Sequence, residues 1–335
     1  MSLLPLWRNQ NENKNRNFNS SRCTAVIHWN DCLDSYWGKN IPLNEVYQAI
    51  VQPDDSINAQ LVRDVRLPRM LCAVLTGGML ALTGTMMQGV MRNPIAEPSV
   101  LGMTQGASLA VAISAVSPVI STGNFFMALI GAFISGILIL LFTMQRASNQ
   151  SISRILLAGT AMSTFFLSLA SVAALLGNRS QELAFWIAGG LRQASWIQVF
   201  FLLIIGGFFS IAALALSGKI NLISLGEEAA TGLGISPEKI KLYTILCLIP
   251  ICGVCVAVAG NIGFIGLFIP HIIRKLIGND YRKLMPLSFL YGAVILVFAD
   301  IAARTISAPY ELPVGLFTAC IGVPVFLLLV RKEKK

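Results

Sequence analysis

The sequence predicts an all-α protein, a polytopic bundle of transmembrane helices. Hydrophobic residues make up 55% of the 335 residues, whereas charged residues make up only 12%. The mean hydropathy of the chain is +0.69, which is typical of integral membrane proteins. The charged residues are also unevenly placed, because long stretches contain no Asp, Glu, Lys or Arg. The lipid bilayer is therefore the expected solvent.

The number of spans follows from the windows that lack charge, which are residues 70–91, 98–145, 155–178, 193–218, 242–273, 284–299 and 312–330. About 20 apolar residues span a bilayer, so the two longest windows must each contain two helices. We expect the first of these to fold back at Ser121-Thr122-Gly123-Asn124 and the second to break at Gly260-Asn261-Ile262-Gly263. The sequence therefore predicts about nine membrane-spanning helices.

The basic residues predict the orientation of these helices. They fall in alternate connections and in the C-terminal tail, at Arg92, Arg146, Arg154, Lys219, Lys239, Lys241, Arg274, Lys275, Arg282, Lys283, Arg331, Lys332, Lys334 and Lys335. Because positively charged connections generally face the cytoplasm, we expect a cytoplasmic C-terminus. The connections with Arg179, Arg192 and Arg304 would then face outward. The net charge of +9 reflects this topology, and no nucleic-acid partner is expected.

The first 36 residues differ from the rest of the chain. Asn occupies every second position from 9 to 19, a polar low-complexity pattern that is typical of disorder. Residues 37–331 are expected to form the membrane domain and residues 332–335 a basic cytoplasmic tail. From Trp37 onward we expect an amphipathic helix on the outer surface, with Pro42 near its start.

Asp300 and Arg304 lie one helical turn apart at the predicted outer end of a span. The pair could be a proton relay, a substrate counter-ion, a docking point or a helix-end ion pair. Ionisable groups of secondary transporters are usually near the midplane of the bilayer. A secondary transporter with Asp300 as the proton carrier is the alternative to a docking function.

The cytoplasmic segment 217–243 is long and contains helix signals. Ser236 and Pro237 are typical of the first residues of a helix, and we expect two short helices before them. Since the sequence lacks the P-loop pattern, ATP would have to be hydrolysed on another chain. We interpret the segment as a contact surface for a soluble partner, although a solvated loop is the alternative.

Glycine and proline residues predict local packing and turns in other parts of the chain. Gly77, Gly78 and Gly84 have the spacing of a close helix–helix contact in lipid. Pro94 and Pro98 disfavour helix at the preceding residues, so residues 93–98 should form a shaped turn in which Glu97 is solvated. No converging polar residues indicate an enzyme, although His271 and Glu97 would be its candidates, and no cofactor or metal site is expected.

Several motifs, in order along the chain, resemble those of the permease subunits of ABC importers for iron-siderophores, haem and cobalamin. The resemblance extends from about Trp37 to Arg331. Its residues are RLPR at 66–69, GTMMQGVMRNPIAEPSVLG at 84–102, SRILLAG at 153–159, LGEEAATGLGI at 225–235, GFIGLFIPHIIRKLIGNDYR at 263–282 and ADIAARTISAPYELPVG at 299–315.

The resemblance implies ten helices per subunit and a dimer of permeases, formed with a second copy or a paralogue. It also implies two cytoplasmic ATPase subunits, an external substrate-binding protein and location in a bacterial cell membrane. Such a chain imports a bulky metal chelate by alternating access and is not itself an enzyme. Which chelate is carried stays open.

The resemblance also implies three groups of functional residues. Residues that dock the binding protein match Arg66, Arg69 and Arg304, with Asp300 orienting Arg304. Residues that contact the ATPase match Leu225, Gly226, Glu227, Glu228, Ala229, Gly232, Leu233 and Gly234. Residues of the cytoplasmic gate match Asn93, Pro94, Ile95 and Ser153.

One departure from the family pattern concerns the first helix, which the family places just upstream of the position of Trp37. Here a polar segment stands in its place, so nine spans are expected instead of ten. Either residues 1–36 replace a lost helix, or the upstream reading frame has been altered. The second explanation predicts an impaired copy.

Overall fold

The computed structural model describes residues 41–52, 54–98, 102–116, 123–144, 152–308 and 310–333. The expectations for the first 36 residues, including the missing first helix, lie outside this range, as do the last two residues of the basic tail. All regular secondary structure within the described ranges is helical, as the sequence predicts.

Thirteen helices are described. They are α1 Leu43–Val51, α2 Ile57–Met91, α3 Met103–Val116, α4 Asn124–Met144, α5 Ile152–Leu176, α6 Ser180–Ala188, α7 Trp196–Ala215, α8 Ser217–Leu225, α9 Glu227–Gly232, α10 Pro237–Ala259, α11 Ile265–Ile277, α12 Tyr281–Thr305 and α13 Val314–Glu333. Two helices contain a π-helical turn, at Leu61–Arg66 in α2 and at Leu202–Gly206 in α7.

Six of these helices are long and apolar enough to cross a bilayer, namely α2, α4, α5, α7, α10 and α12. The other three expected spans correspond to shorter helices: α3 has 14 residues, α11 has 13 residues, and the apolar part of α13 is Val314–Leu328. Both predicted breaks are confirmed, because α4 begins at Asn124 and α10 ends at Ala259, before α11 begins. The fold is therefore an all-α polytopic bundle.

The helix expected near Pro42 is present in the structure. It is α1, and Pro42 immediately precedes it. Ile41, Ala49, Ala59 and Val62 form a small buried cluster that joins α1 to the first turns of α2. This cluster fixes the direction in which α2 enters the bundle.

Helices α2 and α12 form an antiparallel pair at the centre of the fold. Arg69 contacts Asp300 at one end, Gly77 contacts Gly292 in the middle, and Gly89 contacts Tyr281 at the other end. A Cβ atom on Gly77 would overlap the carbonyl group of Gly292, so glycine is required for this close approach. The predicted tight packing of α2 is thus confirmed.

Helix α11 is a half-length helix that packs on the second half of α2. Gly84 meets the backbone of Gly266 so closely that no side chain fits between them. The chain from Gly260 to Phe264 that precedes α11 is not helical, and Phe264 has a φ of 70°. Irregular backbone therefore lies inside the bundle, where Gly260 and Ile262 line the same small cavity as Leu80 of α2.

Candidate functional site

Four charged side chains meet beside the first half of α2 and the last turns of α12. The Nε and Nη2 atoms of Arg69 donate to Asp300 at 3.2 and 3.0 Å, and its Nη1 atom donates to Glu311 at 2.8 Å. The Nη2 atom of Arg304 lies 3.1 Å from the second oxygen of Asp300. We call these four residues, Arg69, Asp300, Arg304 and Glu311, the arginine cluster.

Burial differs within the arginine cluster. The side chains of Asp300, Arg69 and Arg304 are 3%, 10% and 15% exposed. Burying a charge is costly unless it is paired, and Asp300 pairs with both guanidinium groups. The structure thus places Asp300 against Arg304, as expected, but gives Arg69 the more buried position.

Arg66 lies three residues before Arg69, at the end of the π-helical turn, and is partly exposed. The three predicted docking arginines therefore share one end of the bundle, which we call the cluster end. Sequence reasoning missed Glu311, the second partner of Arg69. No local spacing reveals it, because the two residues are 242 positions apart.

The two short helices expected before Ser236 are α8 and α9. We call residues 225–234 the knuckle, and among them Leu225 is 73% exposed and Leu233 is 64% exposed. Glu227 and Glu228 begin α9, and the Nζ atom of Lys241 donates to Glu227 at 2.7 Å. The knuckle is thus a largely helical segment with exposed apolar and acidic side chains. Such a surface is suited to a protein partner.

The knuckle is attached to the start of α12 by one side chain of α8. The Nδ2 atom of Asn221 donates to Asp280 at 2.6 Å, and the backbone N–H of Tyr281 donates to the Oδ1 atom of Asn221 at 2.7 Å. Asp280 also caps α12 by accepting from the N–H of Arg282. The hydrogen bond from Asn221 is the main cause that lowers the pKa of Asp280.

This attachment places the knuckle at the opposite end of the α2–α12 pair from the arginine cluster. Asp280 immediately precedes α12 and Asp300 lies near its last turn. At 1.5 Å per residue the helix is about 37 Å long. A rod of this length connects the two candidate contact surfaces.

Residues 93–98 form the shaped turn that the prolines predict. Arg92 ends α2 with a φ of 50°, and the backbone N–H of Ile95 donates to the Oδ1 atom of Asn93 at 3.1 Å. Ile95 is 44% exposed. Ser153 lies in α5, but its side chain is outside the described atoms. The proposed gate residues Asn93, Pro94 and Ile95 are thus in one turn, whereas the contribution of Ser153 stays a prediction.

Glu97 corrects one expectation, because its carboxylate is not simply solvated. It is partly buried and accepts from the backbone N–H of Phe264, the residue before α11. The first N–H groups of a helix lack partners within the helix and attract negative charge. Glu97 therefore attaches the turn that follows α2 to the start of the half-length helix.

Gln88 holds the same half-length helix at its first carbonyl groups. Pro270 has no N–H, so the carbonyl of Gly266 lacks its usual partner within α11. The Nε2 atom of Gln88 donates to this carbonyl and to that of Leu267, at 3.2 Å each, and Arg274 donates to the Oε1 atom of Gln88 at 3.2 Å. One amide thus replaces a missing helical hydrogen bond.

Comparison with known proteins places this chain in a family. The FecCD transport family matches residues 32–332. The chain is 40% identical over 300 residues to the iron(3+)-hydroxamate import system permease protein FhuB of Bacillus subtilis (strain 168), with 88% of this chain and 78% of that protein covered.

Two further similarities agree with this match. The hemin transport system permease protein HmuU of Yersinia pestis is 38% identical over 281 residues, which cover 81% of this chain and 83% of that protein. A solved inward-facing structure of a metal-chelate type ABC transporter superposes with a TM-score of 0.74 at 30% identity, covering 84% of this chain and 91% of that one. The chain therefore belongs to the FecCD transport family, and it is a multi-pass transmembrane permease.

Proposed function

We propose that the chain is the permease subunit of an ATP-driven importer that moves a bulky iron chelate across a bacterial cytoplasmic membrane by alternating access. One observation carries this proposal: the arginine cluster and the knuckle lie at opposite ends of the α2–α12 pair. An importer must contact a substrate-binding protein on one side and an ATPase on the other. The two surfaces provide one contact for each side.

In this proposal the cluster end faces outward and the knuckle and C-terminus face the cytoplasm, as the distribution of basic residues predicts. Arg304 and Arg66 would bind acidic residues of the external binding protein. A guanidinium can grip a carboxylate with two parallel hydrogen bonds. Arg69 is 8% exposed and occupied by Asp300 and Glu311. Its contribution to docking would be to hold the local charges in place.

ATP would be hydrolysed on separate subunits, and the knuckle would be the surface that they contact. Leu225 and Leu233 offer apolar anchors, and Glu227 and Glu228 offer charge. The turn at residues 93–95 would form the cytoplasmic gate. A second permease subunit, either another copy or a paralogue, would complete the path.

The substrates of two relatives suggest which chelate this chain carries. They are iron(3+)-hydroxamate and hemin, so we propose an iron chelate of the siderophore or haem type as substrate. Cobalamin is a third candidate of similar bulk that the transport test should include.

The test is uptake by proteoliposomes that contain the full chain and its ATPase subunits. ATP is enclosed in the lumen, which corresponds to the cytoplasm. Radiolabelled iron–hydroxamate, hemin and cobalamin are added outside, each with the binding protein. We expect uptake of one iron chelate that needs both ATP and the binding protein. Uptake driven by a proton gradient without ATP would instead support a secondary transporter.

The position of Asp300 favours the importer over that alternative. Asp300 is 2% exposed, and its two oxygens contact the guanidinium groups of Arg69 and Arg304. A proton carrier must exchange protons with water on both sides of the membrane, whereas this carboxylate is enclosed by two permanent cations.

A further inference from the structure

An open cleft of about 700 Å³ lies beside the arginine cluster. Its walls are α6, the turn that follows α6, and the segment before α13. Pockets for small molecules usually have volumes of roughly 300 to 1,000 Å³. The cleft is therefore large enough for a substantial part of a chelate.

The floor of the cleft is irregular backbone from three separate parts of the chain. The N–H of Gly190 donates to Ala259, the N–H of Asn261 donates to Trp186, and the N–H of Val314 donates to Gly189, at 2.9, 3.2 and 3.0 Å. Within a membrane, irregular backbone is tolerated where it is buried in protein or lines a cavity. Broken helices also form the substrate sites of many secondary transporters. The floor thus has the construction of a binding site.

Arg192 presents a cation on the wall of this cleft. Its guanidinium lies 4.7 Å from the centre of the Phe185 ring, and its side chain is 56% exposed. Among the described residues, its one ion-pair contact is a long approach of 3.6 Å to Glu311. Glu311 is already engaged by Arg69 at 2.8 Å, and charge-assisted hydrogen bonds usually measure about 2.7 to 2.9 Å. Arg192 therefore keeps hydrogen-bonding capacity for a ligand.

The remaining lining residues define the chemistry of a matching ligand. Gln181 and Gln193 supply amide groups, and the rings of Phe185 and Trp186 supply apolar area. Arg179 adds a second exposed cation, although it is paired with Glu182 at 3.1 Å. A flat or compact chelate with carboxylates at its edge would satisfy both the aromatic surface and the guanidinium groups.

We infer that this cleft is a transient binding subsite for an anionic iron chelate, and that Arg192 recognises a carboxylate of that chelate. The inference rests on the proposed function and specifies where the permease itself distinguishes its substrate. Phe185 and Glu311 hold the guanidinium at the wall, and the backbone floor limits how deeply the chelate enters.

The test measures equilibrium binding to the full chain assembled with its ATPase subunits in lipid nanodiscs, without the binding protein. The probes are ferric citrate and hemin, which carry carboxylates, and a neutral ferric trihydroxamate. We expect saturable binding of at least one anionic probe. Arg192→Gln should weaken that binding roughly 10- to 100-fold, as for a lost charged hydrogen bond, and should leave binding of the neutral probe within about twofold.

Arg63→Gln is the matched control, because Arg63 lies at the cluster end but does not line the cleft. It removes the same charge and should leave binding of all three probes unchanged. Arg192→Lys should retain part of the affinity, since it keeps the charge but loses the planar group. Retained ATPase activity would show that each variant assembles.

The inference is overturned if the wild-type complex binds neither anionic probe saturably, or if Arg192→Gln affects anionic and neutral probes equally. An equal loss in the Arg63→Gln variant would also overturn it, because a general surface potential would then explain the binding. These results are separable from the proposed function. ATP-driven uptake that persists without such binding removes the subsite only, whereas binding without ATP-driven uptake removes the importer only.

Discussion

At the scale of single residues, Asp300 connects two cations that belong to different helices. It holds Arg69 of α2 and Arg304 of its own helix. Removing one partner of a buried ion pair typically costs about 3 to 5 kcal/mol, because the other charge is left uncompensated. Asp300 therefore contributes to stability, and the more accessible Arg304 is the better candidate for contact with another protein.

Arg304→Ala should weaken docking of the binding protein roughly five- to 150-fold, which corresponds to losing about 1 to 3 kcal/mol. Arg304→Glu should weaken it further, because repulsion is added to the lost attraction. Surface plasmon resonance on the reconstituted permease measures both effects. Thermal unfolding of each variant provides the control for folding.

A charge swap makes this prediction specific. An acidic-to-arginine change on the binding protein should partly restore docking to Arg304→Glu. If no acidic position on the binding protein restores it, and if Asp300→Asn abolishes a proton-driven flux, then the docking function is wrong and the proton-carrier alternative is right.

Asp280 should make the attachment of α8 to α12 depend on pH. Its hydrogen bond from Asn221 lowers its pKa below the ordinary value of 3.8. The stabilisation is therefore fully present above that value, and it is lost as the pH falls through the lower pKa of the folded state. We expect Asn221→Ala to accelerate hydrogen exchange in α8 at neutral pH. This difference from the wild type should shrink in strong acid, and a difference that does not change with pH would contradict the prediction.

At the scale of elements, the half-length helix α11 is held from outside because Pro270 cannot complete its own hydrogen bonding. Gln88→Leu should leave the carbonyl of Gly266 and the guanidinium of Arg274 without this partner. An unsatisfied buried group costs about 1 to 3 kcal/mol, so the variant should unfold at a lower temperature.

Pro270→Ala is the matched second change, because alanine supplies the N–H that proline lacks. In the Pro270→Ala background, the loss caused by Gln88→Leu should be smaller than in the wild type. The double-mutant cycle, measured by thermal unfolding in detergent, tests this coupling. Strict additivity of the two changes would show that Gln88 stabilises α11 in another way.

The elements were predictable where the signal is local. Charge-free windows, the break at Gly260–Gly263 and the short helices before Ser236 all depend on neighbouring residues, and the structure confirms them. Glu97 was misjudged because its partner, Phe264, is 167 residues away. One sequence could not show that Asp300 joins two helices, because the residues it contacts are far apart along the chain. The cleft that Arg192 lines could not be deduced for the same reason.

At the scale of the whole molecule, the knuckle is the surface through which ATP hydrolysis would act. A Cβ atom on Gly232 would meet nothing within 4 Å, so a side chain can leave the backbone there without a clash. Gly232→Trp should therefore abolish coupled uptake while the permease still assembles. Gly232→Ala is the control of minimal size and should retain most of the uptake.

The measurement is the ATPase rate in the presence of the loaded binding protein, compared with uptake in the same proteoliposomes. We expect Gly232→Trp to lose the stimulation of ATPase by the binding protein. Normal stimulation and uptake would mean that the ATPase contacts another surface. Gly234 is unsuited to this experiment, because its φ of 78° strains any side chain.

The antiparallel α2–α12 pair also relates two affinities that are measured on opposite sides of a membrane. If both proposed partners bias the same conformational equilibrium of this pair, their binding free energies are linked, and linkage is reciprocal. If ATP changes the affinity of the importer for the binding protein by some factor, the docked binding protein must change the affinity of the importer for ATP by the same factor. Two unequal factors, each determined at equilibrium without hydrolysis, would mean that the closed thermodynamic cycle contains a further bound species.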